Sequence, residues 1–479
     1  MKTRVLCACL VALSVTMPVV AEQASQQMVA NQATAATTAE LEPQLFTLKN
    51  GMQLIVKPDH RAPTAVHMLW LRVGSMDELS GTTGVAHVLE HMMFKGTPTV
   101  KAREFSQRVA ALGGEDNAFT STDYTAYYQQ IPKDKLAEVM KLQADSFVNN
   151  QWPDDEFKHE LEVVKEERRM RTDDQPRSLL YEQLMAASYV LNPYRNPIIG
   201  WMNDLDHLTP DDARAFYQQW YTPLNAAVVI AGDVQPEEAL ALAEKYYGSL
   251  PAKPLPVRKS ALEPTQMGIK RLEVKAPAEQ ANLLMAFKVP QLTSVDQPTE
   301  SDWDALALTV LSAILDGNDG ARLERHLINS EQRIADNAST RNGLYGRGPQ
   351  LFFVSGVPAS GKTVEDLEAA LRAQIKRVAD EGVTEAELQR VKTQWIAAEI
   401  YQRDSVFSQA NDLGSLWAMG LPLATKDKLI EMLRKITPDQ VKNVAKKYFG
   451  DDQLTVAVLN PQPRDPKAKP RTPSVELRH

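Results

Sequence analysis

Cysteine is nearly missing from this chain: 479 residues contain two, Cys7 and Cys9, both close to the amino terminus. Beyond them no thiol remains, which excludes disulfides, thiolate nucleophiles and cysteine metal sites. An excess of positive charge is also lacking. The formal net charge is −8, a poor match to nucleic acid and to any basic membrane-binding face. Long apolar runs are absent apart from Val5 to Val20, which is short for a membrane span. Histidine is scarce, at 8 residues, so a close grouping of two histidines carries information.

Lys2 and Arg4, the apolar run and Val19-Val20-Ala21 form a secretory signal peptide over 1–21. Cys7 and Cys9 lie inside it without a lipoprotein box. Its removal takes the net charge from −8 to −10, because Lys2 and Arg4 leave with it. The expected destination is the periplasm, with no membrane span after cleavage. Residues 22–40, rich in Gln, Ala, Thr and Ser, read as a disordered leader. The rest divides into a domain at 41–250, a proline-rich linker at 251–268, a second domain at 269–460 and a tail at 461–479.

Gly84 to Gly96 carries the chemistry. His87, Glu90 and His91 form H-x-x-E-H, the inverse of the H-E-x-x-H zinc signature. Residues four apart stack on one helical face, so both imidazoles can reach one ion. Glu90 lies near that face, where a carboxylate can act on water. Imidazole and carboxylate donors with an open position suit a hydrolytic zinc. The flanking Val85, Ala86, Val88, Leu89, Met92, Met93 and Phe94 predict a buried helix, and buried ionisable groups need partners. One zinc ion per chain meets that need.

The two halves repeat. Leu208-Thr209-Pro210-Asp211, then Trp220-Tyr221, then an apolar strand Ala226 to Ala231 closes the first. Ile436-Thr437-Pro438-Asp439, then Tyr448-Phe449, then Leu454 to Leu459 closes the second, with the same interval from Pro to the aromatic pair. Thr is a good N-cap and Pro a good first helical residue. Each half therefore reads as an α+β domain, a mostly antiparallel sheet with helices covering one face. Aligned this way, the second half has Thr309, Ser312 and Ala313 in place of His87, Glu90 and His91, and Ala398 opposite Glu167. The second copy has lost the metal residues.

A third metal ligand is needed, and a helix over Glu156 to Met170 offers Glu160, Glu162, Glu166 and Glu167. Spacing alone does not choose among them. With Gly84 to Thr97 and this Glu-rich helix, the chain resembles the pitrilysin family of inverzincin metallopeptidases, and within it the short type related to mitochondrial processing peptidase. The resemblance implies that His87, His91 and Glu167 bind zinc, that Glu90 is the general base and that Glu160 assists from behind. It also implies a clamshell-half architecture and a substrate edge at Asn117, Ala118 and Phe119, within a β-prone run from Phe119 to Tyr128. Extended peptide would add there through main-chain hydrogen bonds.

The implied activity is zinc-dependent endopeptidase action on short or unfolded polypeptides. The alternative is a non-catalytic or partner-dependent subunit of a heterodimeric family peptidase. One departure favours a partner. Active relatives carry an Arg and a Tyr seven apart in the second half, where this chain has Phe352 and Ala359; Arg341, Tyr345 and Arg347 lack the spacing. A heterodimer with a related subunit that supplies the pair is therefore expected, with a homodimer as the alternative.

Overall fold

Apolar strands and amphipathic helices follow one another along the chain, and two sheets arise in turn. The computed structural model describes residues 41–463; the expected signal peptide, the leader and nearly all of the tail lie outside the described residues. Among the described residues no helix is long and apolar enough to cross a membrane.

The first sheet is built from β1 (Gln44–Thr47), β2 (Gln53–Pro58), β3 (Thr64–Leu71), β4 (Glu115–Thr120), β5 (Thr125–Pro132) and β6 (Ala226–Gly232), in the order β1-β2-β6-β3-β5-β4. The second uses β7 (Lys270–Pro277), β8 (Asn282–Val289), β9 (Ala335–Asn342), β10 (Gln350–Pro358) and β11 (Leu454–Gln462), in the order β7-β11-β8-β10-β9. Each sheet has one parallel pairing, β2 with β6 and β7 with β11, and is otherwise antiparallel. Strand for strand the two topologies match, with only β1 lacking a counterpart. The α+β fold is thus a true structural repeat.

Five helices matter for the site: α1 (Val85–Met92), α2 (Asp154–Arg168), α3 (Pro176–Ser188), α4 (Glu300–Asp316) and α5 (Val406–Met419). One face of the first sheet packs Leu69, Val228 and Ile230 against Val88, Leu89 and Phe157. On the second, Leu283 and Met285 meet Leu308 and Leu311. The opposite faces are covered too, unlike the one-sided arrangement expected. Met68, Trp70 and Val229 lie under Ala410 and Leu413 of α5, while Ala286, Ala457 and Leu459 lie under Leu180 and Leu184 of α3. Each half therefore lends one helix to the other's sheet. The reason is in the strands: β3 and β6 are apolar at odd and even positions alike, so both faces must be kept from water. The described residues from Gln44 onward form one compact unit.

Three expected boundaries move. The run from Phe119 to Tyr128 is a hairpin, not one strand. The Ser121 hydroxyl accepts from the Asp123 and Tyr124 amides and turns the chain between β4 and β5. The acidic helix starts at Asp154 and gives way to a π-helical turn at Arg169–Asp173. The last strand extends to Gln462, beyond residue 460. Pro461 is tolerated there because the ladder with β8 has ended at Leu459.

Candidate metal centre

All eight residues of α1 are buried, and the helix is fixed at its start. Gly84 adopts φ 90, and a Cβ there would lie 2.6 Å from the Ile199 carbonyl oxygen. Only glycine fits so close a crossing. The Glu78 carboxylate accepts from the amides of Gly84 and Ala86, both at 2.9 Å, and so satisfies donors that the helix leaves unpaired.

From this helix His87 and His91 converge, with ring centroids 4.8 Å apart. Glu167 on α2 faces both, with Oε2 at 3.8 Å from His87 Nε2 and 3.5 Å from His91 Nε2. One donor atom from each of the three falls within 4.8 Å of the others. Behind His91, its Nδ1 stands 3.0 Å from Glu160 Oε1. Since a carboxylate only accepts, Nδ1 carries a proton, and Nε2 is the ring atom turned toward Glu167 and left for a metal. Lys95 in turn holds the other oxygen of Glu160.

The electrostatics favour a cation. Burial raises the Glu160 carboxyl, but His91 and Lys95 overcome it and hold it down at about 2. Burial also opposes Glu167, which His91, His87 and Arg171 bring to about 2. The same carboxylates push His91 up to about 9 against its burial, so without an ion a proton takes the place of the positive charge. Two imidazoles and a carboxylate are ordinary zinc donors, and these residues fit that ion. Of the four candidate glutamates, Glu160 and Glu167 point into the centre. Glu162 pairs with Lys165 and Glu166 with Arg169.

Glu90 projects beside the three donors into a cavity of about 670 Å³ shared with His87 and Glu167. Its Oε2 accepts from the Thr120 hydroxyl at 2.5 Å. Burial lifts its carboxyl above the ordinary range, against the pull of His91 and Thr120. The second half keeps the same helix-to-strand contact without the carboxylate: Ser312 of α4 stands 3.0 Å from Thr340 of β9.

Asn117, Ala118 and Phe119 line this cavity on β4, the outermost strand of the sheet. They pair with Tyr128, Tyr127 and Ala126 on β5. Side chains alternate along a strand. Ala118 packs with the core on the helix side, whereas Phe119 turns to Trp70 on the other face. The Ser121 N–H donates to the Tyr124 carbonyl, so by alternation Phe119 and Asn117 turn their backbone groups toward β5, and Ala118, whose N–H meets Asn117 Oδ1 at 2.8 Å, presents its backbone at the free edge.

Phe352 is fully buried against Phe449, and Ala359 is buried as well. Arg347 is held by both oxygens of Asp77 at 2.8 Å, and Arg341 lies over Phe353. Sequence reasoning missed Thr120, Lys95, Arg171 and the wall supplied by α3, where Arg177, Tyr181 and Met185 face the cavity. Lys95 was findable, sitting four residues beyond His91. Nothing local marks the α3 wall, which is placed by packing on the second sheet.

Known proteins match this organisation. The profile of Insulinase (Peptidase family M16) covers residues 54–201, and that of the Peptidase M16 inactive domain covers residues 207–395. The zinc protease PqqE of Helicobacter pylori is 32% identical over 426 residues, 87% of this chain and 92% of that protein. The crystal structure of a protease from Helicobacter pylori has a TM-score of 0.81 at 28% identity, covering 88% of this chain and 100% of that one. The periplasmic protease PqqL from Escherichia coli shares the fold, with a TM-score of 0.75 at 19% identity over 88% of this chain and 49% of that one. An α+β repeat with H-x-x-E-H in its first half alone, matched over nearly nine-tenths of its length by zinc protease relatives, belongs to the M16, or pitrilysin, family of peptidases.

Proposed function

We propose that this protein is a zinc-dependent endopeptidase that cleaves short or unfolded polypeptides. The observation that carries the reading is the convergence of His87, His91 and Glu167 within 4.8 Å beside the cavity that contains Glu90. Those three residues would hold one zinc ion, and bound zinc supplies Lewis acidity toward a peptide carbonyl. Glu160 keeps His91 in the tautomer that presents Nε2. Glu90 takes a proton from the attacking water at a carboxylate oxygen and returns it to the leaving nitrogen, and Thr120 holds it in place. An extended peptide lies along the free edge of β4 at Asn117, Ala118 and Phe119 and bonds to the strand's edge-facing backbone, which folded proteins cannot do.

The amino-terminal Lys2, Arg4 and apolar run support export to the periplasm. Domain limits at 41–250 and 269–460, the second continued to Gln462 by its last strand, belong to the same reading. Burial of Phe352 and Ala359 supports a second element: a related subunit brings the Arg–Tyr pair and completes the site as a heterodimer. Purified protein, loaded with zinc and assayed on an unstructured peptide with and without such a subunit, tests both parts. Full turnover by the pure chain would remove the partner, and no turnover in either case would remove the peptidase.

A further inference from the structure

The walls of the metal cavity are balanced in formal charge, with Arg171, Arg177 and Arg195 against three carboxylates, whereas the chain as a whole is acidic. Its lining carboxylates are Glu90, Glu167 and Glu182. Glu182 is matched by Arg168, at 2.8 and 3.0 Å, and Glu167 by Arg171 at 2.6 Å and by the imidazoles. Arg177 and Arg195 line the same cavity and are exposed. Among the described residues neither has a carboxylate partner; Arg195 gives one hydrogen bond, to the Val190 carbonyl at 2.8 Å. A third cation, Arg341 of β9, lies 6.0 Å over the ring of Tyr181, which also lines the cavity. These arginines come from the first turn of α3, the loop after it and the far sheet.

We propose that this cavity selects peptide segments bearing Asp or Glu, with Arg177 and Arg195 as the specificity-determining residues. The proposal rests on the peptidase reading and adds a substrate class to it. A guanidinium offers a carboxylate two parallel donors, and in an acidic protein these are the cations an incoming peptide meets at the site. Exposed pairs are individually weak, so two of them give about tenfold discrimination together, and salt screens it.

The test uses three unstructured peptides identical except for flanking Asp/Glu, Ser/Gln or Lys/Arg. In the zinc-loaded protein, kcat/KM should favour the acidic peptide over the basic one by about tenfold at low salt and by much less at about 0.5 M NaCl. Arg177→Glu with Arg195→Glu should reverse the order with zinc content unchanged, and the Gln pair should abolish it. Binding of the same peptides to Glu90→Gln protein, read by fluorescence anisotropy, should follow the same order without any cleavage. Equal or basic-favouring values in the unaltered protein, or a preference that survives charge reversal, would overturn the proposal. A neutral peptide left intact while the binding order holds would instead count against the peptidase reading alone.

Discussion

Gly414 offers a test whose sign decides between two forces. It lies in α5 where that helix crosses Trp70, and a Cβ there would come closer than 3.0 Å to three atoms of the indole. Trp70 is fully buried and is met edge-on by Phe119 at 5.6 Å and Tyr124 at 4.9 Å, so the ring has little room to yield. Helix propensity alone makes Gly→Ala stabilising by about 1 kcal/mol. Overpacking a tight core costs about 1–3 kcal/mol, and retreat of α5 would also loosen Ala410 and Leu413. We expect the steric term to win by about 1–2 kcal/mol, near its upper range because the neighbour is a rigid ring. Urea unfolding followed by circular dichroism should show a lower midpoint for Gly414→Ala. Adding Trp70→Leu should cost less in that background than in the native one, the mark of coupled neighbours. A Gly414→Ala protein more stable than the parent would mean that α5 does not rest on the first sheet as described.

Other outcomes follow from the site and the core. Glu160→Gln should lower zinc affinity by about 10–100-fold in chelator competition, because the acceptor behind His91 loses the negative charge that strengthens the imidazole as a ligand; Glu162→Gln and Glu166→Gln should leave it nearly unchanged. Glu167→Gln should be more damaging than Glu160→Gln, and equal losses at Glu166 and Glu167 would misplace the ligand. His67 is buried between Gln129 at 2.8 Å and the Tyr247 hydroxyl at 2.9 Å, and burial drives it down to about 4 although Gln129 pulls the other way. Its stabilising effect is whole above pH 6.5 and is lost as pH falls toward 4, since the unfolded chain takes up the proton first. At about 1.4 kcal/mol per pH unit the loss reaches about 3 kcal/mol, so His67→Gln, less stable at pH 7, should show a shallower decline across that window.

The sequence made the repeat legible because caps and strand ends are local. Thr209 and Thr437 each cap their helix by accepting from an amide three residues on, as their Thr-Pro pairs imply. His87, Glu90 and His91 were legible for a similar reason: a four-residue spacing fixes a helical face. Glu160 and Glu167 needed the family resemblance, since Glu162 and Glu166 sit on the same helix and differ only in what packs nearby. The exchange of α3 and α5 between the sheets was not visible. Amphipathic helices announce that they will pack but not on which surface, and the doubly apolar pattern of β3 and β6 was the available hint. The cavity wall at Arg177 and Tyr181 was hidden for the same reason.

The most direct test compares the unaltered protein with Glu90→Gln, each analysed for bound zinc and for cleavage of an unstructured peptide. Both should carry about one zinc per chain, because Glu90 donates nothing to the ion, and cleavage should fall to near background in the variant alone. An unaltered protein that binds no zinc at His87, His91 and Glu167, or a Glu90→Gln variant that cleaves at the parental rate, would contradict the proposed function.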